Sequence, residues 1–177
     1  RPSGVTPSQL IMRLQLCSSV LVAVLILSAP QALADITVGP AGSGAQTSNI
    51  NDAIFNAEEG ETIFVFAGDY SNITINNKSV RIIGVGPDLV TLSQSGDAAF
   101  AQSSRIVGLS EEKEVFISGV TFDSLENTAF NGVAWLAGNR GRVAFHDCTF
   151  SSKFSAPIAT VTVVDCEEVR FDQCRLL

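Results

Sequence analysis

From residue 62 onward the chain is a series of short apolar-alternating runs separated by Gly, Asn, Asp and Ser. They are TIFVFAG (62–68), NITINN (72–77), VRIIGVG (80–86), VTLSQS (90–95), VFISGVTF (115–122), GVAWLAG (132–138), VAFHDCTF (143–150), ATVTVVDC (159–166) and VRFDQCRL (169–176). Alternation over roughly four to eight residues, bounded by turn formers, predicts β-strands. One segment departs from this period. TSNINDAIFNAEEG (47–60) places Ile50, Ala53, Ile54 and Ala57 on one face at helical spacing. Thr47, Ser48 or Asn49 can cap its start and Gly60 can end it.

Four of the runs share a longer pattern. Aligned on Val80, Val115, Val143 and Val169, the third residues are Ile82, Ile117, Phe145 and Phe171, and the sixth are Val85, Val120, Cys148 and Cys174. The eighth residues of the last three are Phe122, Phe150 and Leu176, while the first run has Pro87 there. Between the apolar pairs lies a two-residue break: Ile83-Gly84, Ser118-Gly119, His146-Asp147 and Asp172-Gln173. Two short strands bent around a tight polar corner produce such a pattern, both pointing alternate residues inward. The valines recur at intervals of 35, 28 and 26 residues. That is the length a parallel solenoid needs to travel once round its cross-section and rise one strand spacing, about 4.8 Å.

The expected fold is therefore all-β: a right-handed parallel β-helix of about five coils with a short N-terminal capping helix. Equivalent side chains form internal columns, and each coil covers its neighbour. An antiparallel sandwich is the competing reading, but it favours Asn-Gly or Asp-Gly hairpins between adjacent runs, and these are scarce here. The final run FDQCRLL stops within a repeat and supplies no cap, so the chain is expected to be truncated at its C-terminus.

Upstream of the repeats the composition changes. Arg13 directly follows Met12, and the apolar run Val20 to Leu27 is too short to span a bilayer. Ala32-Leu33-Ala34 then supplies the small–x–small pattern of a signal peptidase site. Residues 1–34 read as upstream residues plus a secretory signal peptide, and 35–177 as the β-helix domain; a buried helix or a membrane anchor is the alternative for the apolar run. Cleavage after Ala34 removes Arg1 and Arg13, leaving nine basic against 18 acidic residues, a charge of −9. Such a surface disfavours nucleic acid and anionic lipid as partners, and after signal cleavage no membrane association is expected. A polyanionic substrate then requires a local basic cleft or a bound cation. Cys148, Cys166 and Cys174 remain, an odd number compatible with one disulfide and one thiol, or with buried thiols.

Several side chains are candidates for chemistry. His146, the one histidine, stacks by the alignment near Ser118 and Asp172, with Asp147 beside Gln173. A His over an Asp can share a proton or help to hold a metal; the plainer reading is a polar corner satisfying turn backbone. Arg140 and Arg142 in GNRGRV (138–143) can meet acidic sugars, or can serve as solubilising charge on a turn. Asp123, Glu126, Asp147, Asp165, Glu167, Glu168 and Asp172 are numerous enough for calcium or glycoside chemistry, yet no spacing matches a calcium loop, and solvated acidic loops are the commoner case. The ligand-binding candidates are therefore His146, Asp172, Arg140 and Arg142; no catalytic residue, metal site or cofactor is assigned. Trp135 in VAWLA reads as core or groove wall.

The block from Ile36 to Ser95 resembles the N-terminal part of the pectin-lyase-like right-handed β-helix proteins, pectin methylesterases among them. The similar features are a Gly-Ser-Gly stretch before a short helix, Gly68-Asp69-Tyr70 and Gly84-Val85-Gly86. The segment 132–150 is similar to the methylesterase stretch running into a Cys-x-Phe strand. The resemblance covers most of residues 35–177 and implies the fold. It carries little about activity, because unrelated enzymes and non-enzymes share these motifs. The methylesterase Gln-Asp pair after that strand has no counterpart in SSKFSAPIA, Asn131 stands where the family has Gln, and the later Asp and Arg do not appear. No catalytic role carries over. The expected function is a secreted domain of an extracellular polysaccharide-binding or polysaccharide-processing protein, with a non-catalytic surface structural protein or adhesin as the alternative.

Overall fold

The computed structural model describes residues 35–93, 103–124, 132–152 and 160–177. The chain divides into two units, Arg1–Ala32 and Leu33–Leu177; the first, with the predicted signal segment, lies outside the described residues. In chain order the second contains β1 (Ile36–Val38), α1 (Ile50–Asn56), β2 (Glu61–Val65), β3 (Gly68–Ser71), β4 (Thr74–Asn76), β5 (Val80–Gly84), β6 (Val90–Ser93) and β7 (Ser104–Val107). There follow β8 (Glu114–Ser118), β9 (Thr121–Ser124), β10 (Ala134–Ala137), β11 (Arg142–His146), β12 (Thr149–Ser152), β13 (Val161–Val164), β14 (Glu168–Asp172) and β15 (Arg175–Leu176).

These strands make three parallel sheets. The six-stranded sheet runs β1-β2-β5-β8-β11-β14, the five-stranded sheet β3-β6-β9-β12-β15 and the four-stranded sheet β4-β7-β10-β13. Each lap visits the three in that order. Four full laps are present, and β14 and β15 begin a fifth. This is a right-handed parallel β-helix with one short helix. Every backbone pairing in it is between coils, so each strand depends on the strand one lap away.

The predicted columns are the registers of the six-stranded sheet. Val80 pairs with Val115, Val115 with Val143 and Val143 with Val169. Beside them Ile63, Ile82, Ile117, Phe145 and Phe171 follow one another. Phe145 and Phe171 stack with ring centroids 5.2 Å apart, and Phe122 stacks on Phe150 at 4.9 Å in the five-stranded sheet. Edge-to-face contacts between the two stacks tie the sheets together. Each fully buried ring or branched side chain contributes roughly 1.5–3 kcal/mol by leaving water. Phe171 is 42% exposed because β14 has a neighbour on one side only among the described residues.

One column differs from the alignment. Val85 is 55% exposed, and Val90 takes the inward place below Val120, Cys148 and Cys174. The second lap, that of β5 and β6, spends five more residues on this corner than the laps after it, so its valine arrives late. Leu92, and not Pro87, accordingly pairs with Phe122. β7 was not expected from the pattern at all. Its SRIV shows a single buried aliphatic, Ile106, but hydrogen-bonded neighbours on both sides supply what its own sequence lacks. The three described cysteines are free thiols, with Cys148 buried and Cys166 and Cys174 half-buried.

The corners explain the Gly, Asn and Asp punctuation. Asn77, Gly108, Gly138 and Asp165 leave the four-stranded sheet with φ of 44°, 69°, 62° and 50°. Gly119, Asp147 and Gln173 turn from the six- to the five-stranded sheet with φ of 66°, 47° and 55°. Left-handed backbone is cheapest for Gly and tolerated by Asn and Asp. One position further along the first corner, Asn139 is wholly buried. Its Oδ1 accepts from Leu109 N–H at 3.0 Å, and its Nδ2 donates to Ile106 O at 2.9 Å and Cys166 Sγ at 3.4 Å.

Asn49 caps α1, accepting from Asn51 N–H and Asp52 N–H, and the helix is closed at Ala57, before Gly60. Ile50, Ala53, Ile54 and Ala57 join the core at its first lap. Asn51 fastens the helix to β4: its Oδ1 accepts from Thr74 N–H and its Nδ2 donates to Asn72 O. Lys113 adds a clasp from two laps away, donating to Glu59 and to Asn77 O. The Lys113 hydrogen bond holds the Glu59 carboxyl below its usual pKa.

Candidate functional site

Alternation within a strand sends every second side chain outward, and parallel register stacks those side chains into external columns. On the four-stranded sheet one such column is Thr74, Arg105, Trp135 and Thr162. The inward neighbours on β10, Ala134 and Leu136, are buried, which leaves Trp135 half-exposed on the outer face. The parallel column is Asn76, Val107, Ala137 and Val164. No carboxylate lies on this face among the described residues. The other two outer faces carry acids, Glu114, Glu168 and Asp172 on the six-stranded sheet and Asp69 and Asp123 on the five-stranded one. Arg105 is exposed, and no ion pair engages it among the described residues. Among the described residues, an aromatic face, a guanidinium outside any ion pair, hydroxyls and an amide thus share one surface without carboxylates.

The four residues picked from sequence lie elsewhere. His146 ends β11 and stands in register between Ser118 and Asp172, with its Nδ1 3.0 Å from Asp172 Oδ2. A carboxylate only accepts, so the imidazole carries that hydrogen. Asp172 is 71% exposed at its side chain, and the described residues hold no cluster of three or more metal-ligating side chains. Arg140 and Arg142 border an open cleft of about 580 Å³ with Glu111, Glu114, Glu167 and Glu168. Arg142 Nε meets Glu168 at 3.1 Å, and Arg140 lies 3.8 Å from Glu111. Both guanidiniums already face carboxylates, and exposed pairs of this kind are worth little in stability. Glu126 and Asn131 lie outside the described residues.

Sequence reasoning missed the Arg105–Trp135 pairing because β7 was not recognised and the outward sense of Trp135 depends on it. The signal available was the alternation in Ser104-Arg105-Ile106 itself.

Burial pushes the Cys148 thiol up to about 12. A thiol so hard to ionise is a packing group and a poor nucleophile. Among the described residues no helix is long and apolar enough to cross a membrane.

Three stacked parallel sheets with one capping helix define a pectin-lyase-like right-handed β-helix. No family model matches the sequence, and no curated protein matches it. Among solved structures, a pectin methylesterase variant crystallised with a hexasaccharide superposes with a TM-score of 0.61 at 16% identity. The pectin methylesterase PemA of Erwinia chrysanthemi superposes with a TM-score of 0.57 at 13% identity. Each comparison covers 82% of this chain and 50% of the other, so the chain spans half the length of the structures it matches. At these identities the likeness is one of fold.

Proposed function

We propose that this chain is a secreted, polysaccharide-binding β-helix domain of an extracellular carbohydrate-binding or carbohydrate-processing protein, and that the glycan lies on the outer face of the four-stranded sheet. The column Thr74–Arg105–Trp135–Thr162 carries this reading. An indole face stacks on the apolar side of a sugar ring, while hydroxyls and amides meet its hydroxyl groups. The exposed Arg105 fork, outside any ion pair among the described residues, matches a uronate carboxylate. The strands of this face carry no acid among the described residues, which spares an anionic glycan the repulsion that the chain's acidic balance imposes elsewhere. The structural likeness to pectin methylesterases, one of them holding a hexasaccharide, supports the same ligand class. Catalysis is assigned to no residue of this chain; binding is the proposed activity.

Titration of the purified domain with polygalacturonate, against neutral dextran, tests the proposal. Polygalacturonate should bind more tightly, and added salt should weaken it as Arg105 is screened. Trp135→Ala should weaken binding about tenfold, equivalent to ~1.4 kcal/mol, without changing the circular dichroism. No binding of polygalacturonate, or binding indifferent to both Trp135→Ala and Arg105→Gln, refutes it.

A further inference from the structure

A second feature lies at the N-terminal end of the same face. Between α1 and β4 runs a groove of about 510 Å³ lined by Asn51, Ile54, Phe55, Thr74, Asn76 and Lys78. Phe55 is 83% exposed, the most exposed large apolar side chain described, although its neighbours Ala53 and Ile54 on the same short helix are buried. Among the described residues nothing in the packing of the solenoid covers this ring. The groove floor, by contrast, is fixed in place. Asn51 spends its amide on the backbone of β4 and its approach. Lys78 Nζ donates to Phe55 O at 2.9 Å, which leaves its other hydrogens for a ligand. The lining contains one cation and no anion, in a chain of 18 acidic residues.

Thr74 belongs to both places: it lines the groove and heads the column Thr74–Arg105–Trp135. Trp135 is two strands from Thr74, about 10 Å at parallel spacing. A glycan lying across the strands and over Trp135 and Arg105 is therefore led at its N-terminal side straight into the groove.

We propose that this groove is an end subsite for the polysaccharide, in which Phe55 is the stacking platform for a terminal sugar and Lys78 meets its carboxylate. The inference rests on the binding face proposed above and adds a second aromatic anchor beyond it. Two anchors on one strand of glycan act as linked sites, so the gain appears only for ligands long enough to reach both.

Galacturonate oligomers of two and six units, titrated against the full chain, separate the two ideas. Trp135 is the one tryptophan, and its fluorescence reports occupancy of the sheet face. Phe55→Ala should weaken the hexamer roughly fivefold, the scale of one sugar-stacking contact, and leave the dimer unchanged. Phe55→Trp should restore hexamer affinity and respond in fluorescence to the hexamer. Exposure of Phe55 makes a folding defect in these variants unexpected, and a matching thermal midpoint checks it. Equal loss for both lengths, or no loss for either while Trp135→Ala still weakens binding, overturns the end subsite and leaves the sheet face standing. Failure of the wild-type chain to bind either oligomer overturns both.

Discussion

Asn139 is the position where a single side chain holds most of a corner together, and Asn139→Ala measures how much. The asparagine is completely buried and its amide serves both Leu109 N–H and Ile106 C=O of the preceding lap. Truncation to alanine leaves the buried Leu109 N–H without its side-chain partner, costing about 1–3 kcal/mol, and removes the side-chain hydrogen bond to Ile106 O, worth about 0.5–1.5 kcal/mol. Water entering the vacated space recovers part of this, because the site keeps polar partners for it. The expected net loss is about 2–4 kcal/mol, a large share of the roughly 5–15 kcal/mol that stabilises a domain. Urea unfolding followed by circular dichroism gives the value directly, provided the m-value matches wild type. Asn76→Ala, on an exposed position of the adjacent strand, is the control and should stay within about 0.5 kcal/mol. A loss below about 1 kcal/mol at Asn139, indistinguishable from that control, refutes the claim that this amide sustains the corner.

Burial raises the Cys148 thiol from 9.0 to about 12, so its contribution to stability is intact below pH 9 and is lost as pH climbs toward 12, where the unfolded thiol ionises first. At pH 10.5 wild type should have lost about 2 kcal/mol more, relative to pH 8, than Cys148→Val, and parallel pH profiles for the two proteins contradict the assignment. Secretion is checked by the intact mass of the exported product, which should begin at Asp35; a product retaining residues upstream of Asp35 contradicts signal cleavage.

The repeat period was legible because a parallel solenoid forces each residue to stand above its own counterpart. Val80, Val115, Val143 and Val169 occupy like positions in sequence since they occupy like positions in space. The helix at 50–56 was legible for a similarly local reason: four apolar residues on one face and an Asn cap. Where a lap changes length, periodicity lost its grip. The insertion between β5 and β6 moved the inward valine from Val85 to Val90 and turned Val85 out to solvent.

The binding face was a different matter. Composition and order determined the fold class, the internal columns and the acidic balance, because these follow from residue type at a fixed period. Only the tertiary structure decided that Arg105 stands beside Trp135, that Phe55 opens the groove leading to them, and that Arg140 and Arg142 face carboxylates. Those side chains are about 30 or more residues apart or belong to different strands. Their meeting depends on which lap stacks on which and on which way each side chain points, and both are settled by hydrogen bonds made between coils.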